Sequence, residues 1–222
     1  MMFPFRHISL GLTPYEQVWE LQKKYFALHI EALSNEKDSE NVLILCSHQP
    51  VYTLGKNGNA QHIKQVGFAP VFEVERGGDV TFHGPGQLVV YPVFRLDYFG
   101  LGVAAYIQKL ETVVSETLKE YGLSASPKAG AQGVWIEVDN PLRCRKIAAV
   151  GVKVSRGVTM HGIAVNLNTD LLWFSHIVPC GLSQFGVTSL AEECRKQIDE
   201  EEFATRFLHY FSLHFSFKSL TL

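Results

Sequence analysis

Apolar positions recur with two different periods along this chain, and the places where one period gives way to the other mark its elements. Val18, Leu21, Tyr25, Leu28 and Ala32 repeat at helical spacing, as one buried face of a helix would. Thr13-Pro14-Tyr15-Glu16 supplies its start, with a capping hydroxyl, a proline suited to the first turn and a glutamate placed for a capping box. The polar run 34–41 ends that helix and leads into Val42-Leu43-Ile44-Leu45-Cys46, a continuous apolar run that predicts a central strand. Extended segments follow at Pro50–Gly55, at Val71–Glu75, where apolar and acidic residues alternate, and at Leu88–Val93. Helical spacing returns in Val103, Ile107, Leu110, Val114, Leu118 and Tyr121, with Gly122 as the stop. Gly133–Val138 is another strand, and Lys146–Val154 with Val158–Leu167 predicts a hairpin turning at Ser155-Arg156-Gly157. The acidic run Asp199–Glu202 sits at the positive end of a last helix carrying Phe203, Phe207, Leu208 and Phe211. This order predicts an α/β (α+β) fold, a mixed β-sheet with flanking helices packed on one face, in a single domain spanning residues 1–222.

Composition narrows the class. At 46% hydrophobic and 19% charged the chain is globular rather than disordered, and a net charge of −2 excludes a globally basic nucleic-acid binder. No apolar run reaches membrane-spanning length, and the N-terminal residues lack a signal-peptide core, so a cytoplasmic protein is expected. The four cysteines, at 46, 144, 180 and 194, form no paired motif. Reduced thiols and no structural metal are therefore expected.

The segment Arg76-Gly77-Gly78-Asp79-Val80-Thr81-Phe82-His83-Gly84-Pro85-Gly86-Gln87 places bare backbone beside an arginine and a histidine. It is either a tight hairpin or a ligand loop, and it has more glycine than a turn needs. Cys180, held between Pro179 and Gly181, is the thiol best placed for nucleophilic work. Cys46 lies in an apolar strand, Cys194 in a charged stretch, and Cys144 stands between Arg143 and Arg145, which keeps it a rival. His83, His161, His176 and Lys146 are candidate partners for a thiolate. Between Pro141 and Thr169 there is no acidic residue, whereas Arg143, Arg145, Lys146, Lys153 and Arg156 all fall inside. Such a stretch suits an acidic protein, a phosphate or a plain solvated rim. Ala148, Ala149, Gly151, Gly162 and Ala164 make the same hairpin unusually small-sided, leaving room either for a ligand chain or for a closely packed helix.

Taken in order, the Arg76–Gln87 motif, Lys146-Ile147-Ala148-Ala149-Val150-Gly151-Val152-Lys153-Val154, His161-Gly162-x-Ala164-x-Asn166, Pro179-Cys180-Gly181 and Val187-Thr188-Ser189-Leu190 resemble the lipoyl(octanoyl) transferases. Pro50–Gly55 joins the same pattern, which runs from about Leu10 to about Leu190. The resemblance implies the fold of biotin and lipoate protein ligases. It also implies transfer of an octanoyl group, without ATP or another cofactor, from octanoyl-acyl carrier protein to a lysine of lipoyl domains. The acceptors would be the E2 subunits of 2-oxoacid dehydrogenases and the glycine cleavage H protein, with no nucleic acid or membrane as partner. By the same resemblance Cys180 is the acyl-accepting nucleophile and Lys146 the residue that lowers its pKa. Arg76, Gly77, Gly78, Asp79, Val80, Thr81, Phe82, His83, Ala149, Val150, Gly151, Gly162, Ile163 and Ala164 match the segments lining the acyl pocket. Because acyl carrier proteins and lipoyl domains are acidic, Arg143, Arg145 and Arg156 are expected to dock the carrier. Rival readings are an ATP-dependent lipoate or biotin protein ligase, which needs no cysteine, and an octanoyl amidotransferase acting between lipoyl-carrying proteins. A thioesterase and a binding module without turnover are further alternatives.

Overall fold

Strands apolar on both faces require cover on both, and the central strands of this chain are of that kind. The computed structural model describes residues 5–65, 67, 69–178 and 185–216, so Cys180 and its neighbours 179–184 lie outside the described residues. In chain order these residues form β1 (Phe5–Thr13), α1 (Tyr15–Ser34), β2 (Asn41–His48), β3 (Val51–Leu54), β4 (Val71–Glu73), β5 (Val80–His83), β6 (Gln87–Val93), α2 (Val103–Lys119), β7 (Ala125–Lys128), β8 (Ala131–Ile136), β9 (Arg145–Ser155), β10 (Val158–Asn166), β11 (Gly186–Val187), α3 (Leu190–Cys194) and α4 (Glu200–Phe215). The main sheet has the order β1-β2-β6-β10-β9-β8-β7, with β11 added beside β9. It is mixed, since β1 and β2 pair in parallel, β11 and β9 likewise, and the other pairs are antiparallel. A second, three-stranded sheet has the order β4-β3-β5.

Side chains alternate across the main sheet. Leu43, Leu45, Val90, Ile163 and Val165 point into one core with α2 and α4, where Leu110, Val114, Leu118, Phe203, Phe207 and Phe211 are buried. Val42, Ile44, Cys46, Val89, Tyr91 and Ala164 point the other way, against Val18, Leu21 and Tyr25 of α1. Helices therefore cover both faces rather than one. The run Val42–Cys46 is apolar throughout because each of its faces has its own helix layer.

The expected cap of α1 does not form. Thr13 closes β1, paired in register with His48, and its hydroxyl donates to Leu10 O at 2.9 Å. Pro14 occupies the cap with no side-chain bond. The stripe on α1 is also displaced: Leu28 is 48% exposed, and the buried face is Tyr15, Val18, Gln22 and His29. Polar residues tolerate that face because they meet backbone groups at strand positions, Gln22 Oε1 accepting from His161 N–H and His29 Nε2 bonding to Val93 O. The hairpin forms as expected, with Ser155 opposite Val158 and both Arg156 and Gly157 at positive φ, the geometry of a two-residue turn matched to strand twist. Asp199 caps α4 by accepting from Glu201 N and Glu202 N. Among the described residues no helix is long and apolar enough to cross a membrane.

Candidate active site

The glycine loop is bound at both ends. Lys56 N donates to Arg76 O at 3.0 Å, and Gly77 N donates to Val152 O at 2.9 Å, tying the loop to β9. Arg76 is buried, and its guanidinium donates to Thr53 O at 2.7 Å and to Thr53 Oγ1 at 2.9 Å. Asp79 accepts from Asn59 N and bonds to His62, which closes the loop's far side. Beyond it, β5 alternates. Thr81 and His83 face a cavity, whereas Val80 and Phe82 turn into an aromatic cluster with Tyr52 and Trp173.

The opposite wall of this cavity is the small-sided hairpin. Ala149 pairs with Ala164 and Gly151 with Gly162, and these two rungs, with Val150 and Ile163, line the space together with Arg76, Gly78 and Asp79. Each glycine has its own steric reason. A Cβ on Gly151 would come within 3.0 Å of Arg76 Cδ, and one on Gly162 within 2.1 Å of Val90 O. Ala148 has a different role from the one its size suggested, since it belongs to the core on the α2 and α4 side.

Lys146 reaches the cavity side of the sheet because β9 carries a bulge. Trp135 pairs with Lys146 and its neighbour Val134 with Ala148, so Ile147 is skipped. Ile147 and Ala148 both enter the α2 and α4 core, leaving Lys146 on the same side as Ala149. The side chain is buried, with Nζ 4.6 Å from the centroid of the Trp135 ring. The chain on either side of 179–184 is anchored nearby. Val178 N donates to His62 O at 2.7 Å. Phe185 packs edge-on against Trp135, Gly186–Val187 pairs with Arg145–Lys146, and Thr188 N donates to Lys146 O at 2.9 Å.

Burial governs the titratable groups around the cavity. It holds His83 and His161 down to about 3 and His48 down to about 4, so all three imidazoles are neutral near pH 7. His176, the third histidine candidate, bonds through Nδ1 to the Tyr52 hydroxyl. Burial likewise pushes the Cys46 and Cys194 thiols up, away from thiolate chemistry. Cys144 is buried as well. The acid-free stretch is not an open positive field. Arg145 is clamped by Glu193 at 2.6 Å and Glu137 at 2.9 Å, Arg143 pairs with Glu137, and Lys153 with Glu75. Acids from outside the stretch thus pair three of its five cations, which engages Arg145 most tightly of the expected docking residues and leaves Arg156 exposed at the hairpin tip.

The sequence profile of the lipoyl protein ligase A/B catalytic domain matches residues 14–212. An octanoyltransferase of Bacteroides fragilis is 44% identical over 202 residues, covering 88% of this chain and 90% of the relative. One of Cytophaga hutchinsonii is 45% identical over 199 residues, covering 83% and 82%. The chain belongs to the octanoyltransferase family. Solved structures extend the likeness at the level of fold alone. The bipartite lipoate protein ligase of Thermoplasma acidophilum has a TM-score of 0.71 at 18% identity, over 99% of this chain and 88% of that one. The biotin protein ligase of Aquifex aeolicus has a TM-score of 0.53 at 16% identity, over 96% and 70%.

In this octanoyltransferase chain the cavity also takes Tyr15, Val89, Tyr91 and His161. Val89 and Tyr91 share one strand parity, a signal present in the sequence. Tyr15 had none, because a helix-start tyrosine discloses nothing about the sheet it will meet. His161 reaches the cavity through a left-handed backbone, φ +62°, which no periodicity argument anticipates for a non-glycine residue.

Proposed function

We propose that this chain moves an octanoyl group from octanoyl-acyl carrier protein to the lysine amine of lipoyl domains, through a thioester on Cys180. The observation that carries the reading is the anchoring of the chain after Cys180 to the strand of Lys146, the same strand that walls the cavity through Ala149, Val150 and Gly151. The apolar rungs would hold the acyl chain. The Cys180 thiolate would attack the thioester carbon, and collapse of the tetrahedral adduct would expel the carrier thiolate, which takes a proton from the Lys146 ammonium and leaves that amine neutral. The acceptor amine would then attack the acyl-enzyme, lose a proton to Lys146, and regenerate the Cys180 thiolate. The thioester donor is already activated, so no ATP is needed. E2 subunits and the H protein are the acceptors this chemistry would serve.

The test is intact mass after incubation with octanoyl-acyl carrier protein, without ATP or acceptor, for the wild type and Cys180→Ala. One hydroxylamine-labile octanoyl increment, absent from the variant, is expected. Octanoylation of a lipoyl domain only on addition of ATP would instead favour the ligase chemistry of the structural neighbours.

A further inference from the structure

Three residues of the sequence motifs, Gln87, Asn166 and Thr188, take no part in the chemistry above, yet all are buried. They form one hydrogen-bonded line. Thr188 O can only accept, so the Asn166 amide nitrogen donates to it, at 2.9 Å. Asn166 Oδ1 therefore faces Gln87 and accepts from its Nε2, also at 2.9 Å. Gln87 Oε1 is left as an acceptor, and His83 Nδ1 must carry the proton it receives at 2.8 Å. This leaves His83 Nε2 a bare acceptor, 3.5 Å from Thr53 Oγ1. The Thr53 hydroxyl already accepts from Arg76, so its one proton is free to point at His83. Thr188 N closes the line on Lys146 O. The roles up to His83 Nδ1 are assigned from one backbone carbonyl, those beyond it from the neutral ring and the Arg76 donor, and the path runs from the arginine of the glycine loop to the backbone of Lys146.

We propose that Gln87 and Asn166 are positioning residues for acyl transfer, which fix the tautomer of His83 and hold the Arg76 loop in register with the Lys146 strand and its β11 anchor. The role rests on the octanoyl-transfer reading, whereas the tautomer does not. His83 also faces Arg76 from the loop, His48 from β2, His161 from β10 and the Tyr15 ring from α1. Three of these are cationic or can become so, and each disfavours its protonation. A carboxylate at position 87 would work against all of them.

The experiment pairs side-chain nitrogen NMR of His83 with single-turnover acylation by octanoyl-acyl carrier protein, on wild type, Gln87→Glu and Asn166→Asp. Wild-type His83 is expected to be neutral and protonated on Nδ1 through neutral and mildly acid solution. Gln87→Glu should stabilise the imidazolium, give the acylation rate a pH dependence the wild type lacks, and lower it about ten- to a hundredfold with little change in the carrier's apparent affinity. Asn166→Asp, which sets an acceptor against Thr188 O, should lower the rate without creating the imidazolium. An Nε2-protonated wild type, or a Gln87→Glu protein with the wild-type rate and pH profile, would overturn the proposal. A wild type that takes up no octanoyl group would sink the transfer reading, and the catalytic role with it, even with the tautomer as assigned.

Discussion

Adding one methyl group at Gly162 and at Gly151 should separate stability from function. The two glycines face each other across the β9–β10 ladder, but their surroundings differ. The new Cβ at 162 would lie 2.1 Å from Val90 O and 2.8 Å from Pro92 Cδ. An ordinary carbon–oxygen contact is about 3.3 Å or longer. The ladder between β10 and β6 must therefore open by roughly 1 Å, and it is pinned by hydrogen bonds on both sides. Overpacking of this kind costs about 1–3 kcal/mol, offset by about 0.4–1 kcal/mol from the stiffer unfolded chain. A net loss of about 1–2 kcal/mol corresponds to a fall in Tm of about 2–8 °C for a chain of this size. At 151 the nearest atoms are Arg76 Cδ at 3.0 Å and Gly77 O at 3.2 Å. A shift of a few tenths of an ångström in the loop relieves that contact, so Gly151→Ala should stay within about 1 kcal/mol of wild type. Its cost should fall on Arg76, whose bonds to Thr53 must rearrange, and on acylation, by about tenfold. Calorimetry with single-turnover acylation reads both. If Gly162→Ala melts with the wild type, or Gly151→Ala is the less stable of the two, the placement of the hairpin against β6 and the loop is wrong.

Other perturbations test separate parts of the structure. Lys146→Met keeps an unbranched chain over Trp135 but removes the amine, so transfer to a lipoyl domain should fall at least about a hundredfold, with a cooperative melting curve as the control that the variant is folded. His48, His83 and His161 have folded pKa values below the ordinary one, so the unfolded chain binds more protons between about pH 6.5 and the folded values near 3 to 4. Stability should therefore fall as pH drops through that window, by up to about 1.4 kcal/mol per pH unit per histidine; urea midpoints that do not move between neutral and mildly acid solution would refute the buried neutral rings. Asp199→Ala removes two cap bonds at 3.0 Å from α4 and should cost about 1 kcal/mol with no change in acylation.

Much of this architecture was legible from periodicity. The hairpin, α2, the acidic start of α4 and the apolar run of β2 follow from local pattern and turn chemistry, where nearby residues decide the outcome. The misreadings arose where distant residues decide. Thr13 looks like a cap until β2 arrives beside it and holds it in a strand. A strand apolar throughout is ambiguous about how many helix layers cover it. The acid-free stretch looked like an open cationic surface because Glu75, Glu137 and Glu193 lie outside it in sequence. Within the candidate site the loop and hairpin named from the motifs wall one cavity, but the motifs did not disclose that alternation turns Val80 and Phe82 away from it. The bulge that delivers Lys146 to the cavity side depends on strand register, which the sequence of β9 alone does not reveal.

The cavity lies between two sheets that are each hydrogen-bonded within themselves, with His83 and Thr81 on one wall and Ala149 and Ala164 on the other. A hydrocarbon seated there would be a removable part of the protein's own interior. Loading it should fasten the small sheet to the large one and slow amide exchange in β3 and β5, and delivering it to an acceptor should loosen them again. The enzyme's rigidity would then rise and fall once per turnover, with the cargo as its keystone.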